Sequence, residues 1–250
     1  MTDATNTWHW SEEDSQTFLD YGRFFVPQRE YQIRTICDLI PPSDEPFTVV
    51  ELACGEGLLA GAILERFPHA RVLGLDGSVE MLQRAAVHLE QWGTRFQTEQ
   101  FELAAGDWRT TIQNAQAVVS SLTIHHLDGP GKQQLFRDVY EMLAPGGVFV
   151  VADLVQPIME RGVAVAAQAW DDAVQQRAQE LGDDRQAFRY FQQSHWNYYR
   201  YPDPGDMPST LWDQLQWLTQ AGFADVDVVW IQAGHAIFGG SKPGSVTSNE

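Results

Sequence analysis

The sequence predicts an α/β fold in which helices cover both faces of a mostly parallel β-sheet. Three observations support this prediction: helix-like and strand-like segments alternate between residues 47 and 153, each strand is short and almost continuously apolar, and two more strands follow a late helix. Apolar runs of this kind are typical of strands that are covered on both sides. We therefore expect a three-layer αβα sandwich with a seven-stranded, mostly parallel sheet and one antiparallel strand.

The elements of the first part of the chain follow from local patterns. Between residues 11 and 40 apolar residues recur at helical spacing on either side of Pro27, so two helices are expected, the second opening at this proline. The glycines of segment 53–57 mark a tight turn between the first strand and the next helix. Strands are predicted over 47–52, 71–75, 101–105, 117–122 and 148–152, and helices over 58–67, 79–89 and 133–143.

The alternation stops after residue 153 and resumes with a predicted helix over 211–220. The intervening segment begins as an amphipathic helix, with Trp170 and Val174 on its apolar stripe, and ends in the aromatic and proline-rich run HWNYYRYPDPGDMP. We interpret it as a packed helix followed by an active-site lid; a purely structural excursion is the alternative. The last two strands, over 224–230 and 236–239, are close enough in sequence to pair antiparallel.

These patterns divide the chain into five regions. The first four are a helical N-terminal cap over 1–46, a ligand-binding core over 47–153, a helical lid insertion over 154–208, and a helix with two strands that complete the core over 209–241. The last region, 242–250, has the composition of a flexible tail.

Charge and composition exclude several classes of protein. The chain has 16 Lys and Arg residues against 34 Asp and Glu residues, a formal charge of -18, and such a surface makes nucleic acid an unlikely partner because it repels phosphates. No apolar run is long enough to span a membrane, and the first residues lack the basic and apolar regions of a signal peptide, so we expect a cytoplasmic protein. Cys37 and Cys54 belong to no metal-binding pattern, so no metal is expected.

The turn after the first strand indicates a nucleotide-like cofactor. Glycines let the backbone approach a ligand closely, and the N–H groups at the start of the following helix favour negative charge. Residues 55–60 match the pattern G-x-G-x-x-A, which by itself would serve a dinucleotide equally well. The neighbouring motifs must therefore decide between cofactors.

Several motifs follow one another in a characteristic order. They are VVELACGEG over 49–57, GLDGSVEML over 74–82, AGDW over 105–108, VVSSLTIHHL over 118–127, LAPGG over 143–147 and AGF over 221–223. In this combination the chain resembles the class I S-adenosylmethionine-dependent methyltransferases, in particular their small-molecule branch. The resemblance implies a Rossmann-like fold and S-adenosyl-L-methionine as cofactor. Ala53 departs from the family pattern, which usually has glycine there, so we expect a small adjustment of the local turn geometry without loss of cofactor binding.

The resemblance also implies which residues bind the cofactor. Gly55 and Gly57 would line its methionine and ribose portions, Glu51 would orient the turn and favour the cationic end, and Asp76 would accept both ribose hydroxyls. Simple helix packing is the alternative for Met81, and turn capping is the alternative for the serine side chains. The expected contacts are Glu51, Gly55, Gly57, Asp76, Gly77, Met81, Gly106, Asp107, Trp108, Ser120, Ser121 and Tyr21.

Methyl transfer from a sulfonium needs alignment of the acceptor, exclusion of water and, for some acceptors, removal of a proton. His125 and His126 follow the fourth strand, where an imidazole would serve as general base or orient the acceptor, although either could instead pack or cap. Arg29, on the cap, is a candidate for closing over the cofactor. The expected acceptor contacts are Tyr31, Trp196, Tyr199 and Arg200, with solvent-facing lid residues as the alternative for the last three.

The expected protein is a monomer or homodimer that methylates a small-molecule acceptor. Three other functions stay open. A nicotinamide-dependent oxidoreductase would use the glycine pattern and Asp76 as a dinucleotide fingerprint, a tRNA-modifying methyltransferase would need a local basic patch, and a non-catalytic module would keep the cofactor but lack a working acceptor site.

Overall fold

The structure is a computed structural model that describes residues 12–182 and 186–244. Residues 1–11 of the predicted cap and residues 245–250 of the predicted tail lie outside the described residues. Among the residues that are described, no helix is both long and apolar enough to cross a membrane.

Eight helices and seven strands alternate along the described chain, together with three short 3-10 turns. The helices are α1 Glu12–Phe25, α2 Arg29–Leu39, α3 Leu58–Arg66, α4 Val79–His88, α5 Gly129–Met142, α6 Glu160–Glu180, α7 Gln186–Gln193 and α8 Leu211–Ala221. The strands are β1 Phe47–Leu52, β2 Ala70–Asp76, β3 Phe96–Gln100, β4 Ala115–Ser121, β5 Leu143–Leu154, β6 Ala224–Gln232 and β7 His235–Ser241. The second helix begins at Arg29, two residues after the proline that was expected to open it.

The seven strands form one sheet in the order β3-β2-β1-β4-β5-β7-β6. The first five strands are parallel, and β7 runs antiparallel to both of its neighbours. The predicted α/β architecture with one antiparallel strand is therefore confirmed. The strand order reverses between β1 and β4, and ligands of open α/β sheets bind at this switch point, outside the carboxyl ends of the strands.

Strand register brings the chemically interesting residues to one edge of the sheet. Leu52 pairs with Leu75 on one side and with Ser120 on the other, while Ser121 pairs with Ala152. The carboxyl ends of β1, β2, β4 and β5 are thus level, because parallel strands in register end together. The residues that follow these ends share one side of the molecule.

The prediction of a third strand over 101–105 is wrong. The third strand is Phe96–Gln100, and only Phe96 of its five residues is buried. This strand lies at the edge of the sheet, so it lacks the continuous apolar run by which covered strands are recognised. The apolar residues of 101–105 instead lie in a loop, where Phe101 packs edge-on against Trp108.

Apolar side chains alternate between the two faces of the sheet, which produces the three layers. Val50 and Val118 face a cluster that includes Phe136 of α5 and Leu218 of α8. Their neighbours in sequence, Val49 and Val119, face the opposite cluster, which contains residues of α2, α3 and α4. The period of two along each strand explains why adjacent residues enter different clusters.

The cap and the insertion pack on each other in a third, largely aromatic cluster. Phe25 of α1 contacts Phe191 and Trp196, with ring centroids 5.1 and 5.2 Å apart. The indole N–H of Trp170, on α6, donates a hydrogen bond of 2.7 Å to the carbonyl of Phe25. The insertion is therefore a packed helical unit, while its function as a lid stays a prediction.

Candidate functional site

The glycine turn after β1 has the close backbone geometry that its sequence indicates. Gly55 and Gly57 have φ angles of 53° and 86°, in the left-handed region that favours glycine. A Cβ atom on Gly57 would lie 2.7 Å from Cδ1 of Leu89, so a larger residue there would clash. The amide of Cys54 donates to the carbonyl of Leu75 at 2.9 Å, which ties the turn to β2.

Ala53 also adopts a left-handed conformation, with φ of 54°. We expect the variant Ala53→Gly to be about 1 kcal/mol more stable than the wild type, because a Cβ atom in this region costs roughly 1–2 kcal/mol and the extra freedom of glycine in the unfolded chain offsets part of the gain. Urea unfolding measures the difference. Ala62→Gly, in the interior of α3, is the control and should lower stability by a similar amount. A destabilised Ala53→Gly protein would contradict the prediction.

Asp76 joins the glycine turn to the start of α4. One carboxylate oxygen accepts the amide N–H of Gly55 at 2.8 Å, and the other accepts that of Ser78 at 2.9 Å. The hydroxyl of Ser78 in turn caps α4 by accepting the amide of Met81 at 3.1 Å. The side chain expected to bind the ribose is therefore fixed at the carboxyl end of β2 by two backbone donors.

Buried Glu51 and half-buried Arg29 interact electrostatically beside this turn. Burial raises the pKa of Glu51 to about 8 although Arg29 opposes the shift, and burial lowers the pKa of Arg29 although Glu51 opposes it. Within the described part of the chain, Oε2 of Glu51 has no hydrogen-bond partner. Arg29 donates a hydrogen bond of 2.6 Å to the hydroxyl of Ser121 at the end of β4. The pair thus lies across the switch point of the sheet.

We expect Glu51→Gln to stabilise the ligand-free protein increasingly as the pH rises from 4.5 to 8. The folded-state pKa of Glu51 lies above its ordinary value of 4.5, so the folded protein holds the extra proton and loses stability as the pH rises through this window. A neutral amide removes that loss of stability, for a gain of about 4 kcal/mol at pH 8. Urea unfolding at pH 5 and pH 8 measures it; equal stabilities at pH 8 would contradict it.

The two histidines follow β4 in a short 3-10 turn and lie side by side, with ring centroids 4.1 Å apart. His125 is buried, and its Nδ1 is 2.5 Å from a carboxylate oxygen of Asp153 at the end of β5. Its Nε2 is 3.4 Å from Oδ1 of Asp206, and Nδ1 of His126 is 3.2 Å from the same oxygen. One carboxylate therefore serves both imidazoles.

The surroundings give the two rings different charges. Burial opposes charge on His125, but Asp153 and Asp206 outweigh burial and raise the pKa of His125 to about 10. Burial and the neighbouring His125 lower the pKa of His126. The imidazolium also holds the pKa of Asp153 below its ordinary value, in spite of burial. At neutral pH His125 is cationic and cannot accept a proton, whereas His126 is neutral.

Donor atoms of His125, His126 and Asp206 all lie within 4.8 Å of one another, a set that could hold a metal ion. Metal ligation requires a deprotonated imidazole. A proton bound to His125 with a pKa of about 10 weakens metal binding about a thousandfold at pH 7. The arrangement is better explained as a hydrogen-bonded ionic network.

The remaining predicted cofactor residues have mixed surroundings. Met81 is buried, with its Sδ 4.0 Å from the point that a Cβ on Gly55 would occupy, so it lies beside the glycine turn. Gly106 has open space where a Cβ would be, and Asp107 accepts the amide of Trp108 at 3.0 Å. Trp108 is buried in the core, and its indole N–H donates to the carbonyl of Glu102 at 3.0 Å. Gly77 and Ser120 lie at the ends of β2 and β4, as expected.

The aromatic residues predicted to line the site make contacts mainly within the cap and the insertion. Tyr21 stacks on Tyr190 at a centroid distance of 4.2 Å, and Trp196 packs on Phe25. Tyr31 is more than one-third exposed and lies 6.4 Å from Trp230 of β6. These contacts alone do not bring the side chains together around one acceptor.

Tyr199 and Arg200, also predicted to bind the acceptor, have structural partners. The hydroxyl of Tyr199 lies 2.8 Å from the carbonyl of Val155 and 2.6 Å from that of Gly234, and the residue is buried. Arg200 donates to Asp171 at 2.6 Å. Both side chains hold the insertion together, and their acceptor role stays a prediction.

Two acids of the site, Asp153 and Asp206, were missed by the sequence analysis. Asp153 directly follows an apolar run at the end of β5, so the rule that pointed to Asp76 would also have found it. Asp206 lies in a proline- and glycine-containing segment of the insertion, and no local pattern distinguishes it from other surface acids.

The fold and the site agree with a methyltransferase domain in the central part of the chain. Residues 49–147 match the family model for a methyltransferase domain. This segment contains the glycine turn, Asp76 and both histidines. This match agrees with the family resemblance stated from the motifs.

Similar proteins agree with this assignment. The chain is 29% identical over 150 residues to carboxy-S-adenosyl-L-methionine synthase of Klebsiella pneumoniae, a match that covers 58% of this chain and 60% of the relative. An O-methyltransferase family protein from Burkholderia thailandensis has a TM-score of 0.64 at 14% identity, covering 94% of this chain and 61% of that protein. Phosphoethanolamine N-methyltransferase 2 of Haemonchus contortus, in complex with S-adenosyl-L-methionine, has a TM-score of 0.62 at 14% identity, covering 92% and 57%. The two structural matches show the shared fold.

Proposed function

We propose that this protein transfers the methyl group of S-adenosyl-L-methionine to a small-molecule acceptor. The observation that carries the proposal is the convergence of a glycine turn, the fixed carboxylate of Asp76 and the interacting pair of Glu51 and Arg29 at the switch point of the sheet. A sugar with two hydroxyls, a carboxylate and an ammonium group would each find a suitable partner among these groups. The residues therefore fit the cofactor.

Each part of the cofactor site has a defined task in this proposal. Asp76 accepts the ribose hydroxyls, and Arg29 binds the carboxylate of the methionine portion. Glu51, whose Oε2 lacks a hydrogen-bond partner among the described residues, accepts from the ammonium. The bound cofactor supplies a methyl group on a positively charged sulfur that leaves readily, as a neutral thioether, when the methyl group is displaced. Met81 and Gly106 are proposed to line the adenine.

The acceptor is proposed to bind near His125 and His126, at the carboxyl ends of β4 and β5. Both ring nitrogens of His125 are engaged by the carboxylates of Asp153 and Asp206, so neutral His126 is the better candidate for removing a proton from the acceptor. The insertion and the cap would exclude water from the reaction, which favours displacement at the methyl group over side reactions.

Calorimetric titration of the purified protein with S-adenosyl-L-methionine, S-adenosylhomocysteine and NAD tests the proposed cofactor. We expect micromolar binding of the first two and none of NAD; the reverse pattern would favour the oxidoreductase. Incubation with fractionated metabolite extracts, followed by assay of S-adenosylhomocysteine, then identifies the acceptor. Cofactor binding without turnover of any fraction would favour the non-catalytic module, and methylation of added tRNA would favour the RNA-modifying enzyme.

A further inference from the structure

We propose that Asp206 is a positioning residue that holds His126 in a single orientation as the base facing the methyl acceptor. The inference rests on the proposed methyl transfer and adds to it a residue from the insertion, far in sequence from the methyltransferase domain. Two observations support the inference. One carboxylate oxygen of Asp206 lies close to both histidines, and backbone contacts on either side of Asp206 hold its segment in place.

The segment that carries Asp206 is attached directly to the histidine turn. We call residues 203–207 the return segment, because here the insertion comes back to the sheet. The amide of Met207 donates to the carbonyl of His125 at 2.7 Å, and the carbonyl of Met207 accepts from the ammonium of Lys132 at 2.5 Å. Lys132 also donates to the carbonyl of Leu127. Asp206 is thus placed between backbone contacts that fix it over the two rings.

The contacts of His126 select one tautomer. Its Nδ1 lies 3.0 Å from the carbonyl of Gly205 and 3.2 Å from Oδ1 of Asp206. Both partners are acceptors, so Nδ1 carries the proton and the lone pair is on Nε2. A ring held in this way presents its basic nitrogen in a fixed orientation, as a general base requires.

The contacts of His125 place a positive charge next to that base. Its two ring nitrogens face Asp153 and Asp206, and both carboxylates accept, so both nitrogens are protonated. The resulting cation disfavours a second charge on His126 and keeps it neutral. Asp206 therefore orients His126 and stabilises the charge of His125, while its own charge raises the pKa of His126 against the larger opposing effects of burial and His125.

The neighbouring groups that titrate or carry charge come from four elements. They are Asp153 on β5, Lys132 on α5, His235 on β7, and Tyr198 and Asp206 of the insertion. Of these, Asp206 alone contacts both imidazoles in the part of the chain that the structure describes. Its replacement should therefore change the two rings together.

Nitrogen-15 NMR of histidine-labelled protein reports the protonation of each ring and needs no acceptor. In the wild type at pH 7.5 we expect two protonated nitrogens on His125 and a proton on Nδ1 alone for His126. In Asp206→Asn the titration midpoint of His125 should fall by about 1 pH unit or more, and the proton of His126 should be less strictly confined to Nδ1, because only the carbonyl of Gly205 and a neutral amide oxygen then accept it. Asp206→Glu should restore both properties. Asp203→Asn is the matched control, because an amide oxygen can still accept the amide of Gly205, which Asp203 accepts at 2.7 Å.

With the acceptor that the metabolite screen identifies, Asp206→Asn should lower kcat at least about tenfold and change KM less than about twofold. A neutral His125 or a proton on Nε2 of His126 in the wild type would overturn the proposal, even if the variant fails to fold. Unchanged imidazole signals in Asp206→Asn would overturn it as well. Micromolar Zn²⁺ binding that depends on Asp206 would also overturn it, because the carboxylate would then be a metal ligand. Failure of the methyltransferase proposal is separate, since it would show as absent cofactor binding in calorimetry.

Discussion

Replacing Asp76 with asparagine is expected to reduce the affinity for S-adenosyl-L-methionine by at least about 100-fold. In the proposed complex the carboxylate accepts two ribose hydroxyls, and hydrogen bonds to a charged group contribute roughly 1.5–3 kcal/mol each. The change also weakens the bonds that join the glycine turn to α4, because an amide offers only one acceptor oxygen to the amides of Gly55 and Ser78. Isothermal titration with the cofactor and with S-adenosylhomocysteine measures the loss.

Glu99→Gln provides the control for this variant. Glu99 is an exposed acid on β3 that pairs with Leu75 of β2. Its replacement by glutamine therefore removes a negative charge close to Asp76 without changing any contact of the glycine turn. The affinity of this variant should equal that of the wild type. If Asp76→Asn bound the cofactor as tightly as Glu99→Gln, the cofactor would not lie across the carboxyl ends of β1 and β2.

The second large effect is expected for Asp153→Asn, which should destabilise the protein by about 3–5 kcal/mol at pH 7, the usual cost of breaking a buried ion pair. The carboxylate of Asp153 accepts the ring and the backbone N–H of His125, and it accepts the amide of Leu154 at 2.8 Å. Loss of its charge leaves the buried imidazolium with Asp206 as its remaining carboxylate partner. Urea unfolding measures the difference.

The pH dependence of stability distinguishes this ion pair from ordinary packing. His125 titrates near 10 when folded and near 6.5 ordinarily, so its stabilisation is complete below pH 6.5 and is lost as the pH rises toward 10. Lys132, whose pKa burial lowers to about 8, contributes with the opposite sign in this range. The contribution of His125 is therefore measured as the stability difference between wild type and Asp153→Asn, which should shrink between pH 8 and pH 10. The difference between wild type and Asp172→Asn, which replaces an exposed acid on α6, should stay constant. Parallel curves for all three proteins would exclude the ion pair as the cause.

Local sequence patterns predicted most of the fold, because covered strands and amphipathic helices can be recognised from a few consecutive residues. For the strands inside the sheet, most predicted first and last residues lie within two residues of the observed ones, whereas the predicted position of β3 is wrong. Only one residue of β3 is buried, so its position is decided by pairing with β2 and leaves no apolar signature. Its neighbour, the loop over 101–105, has that signature because it covers the core.

The sequence by itself indicated the resemblance to methyltransferases, the glycine turn and the strand-end residues Glu51, Asp76 and Ser121, because register in a parallel sheet carries strand ends to one edge. The tertiary structure alone decided the chemistry of the histidine pair. Asp206 reaches these rings from a segment 80 residues further along the chain, and no local pattern encodes such a distant contact. Burial and the two facing carboxylates then give two adjacent residues of the same type opposite tendencies to hold a proton.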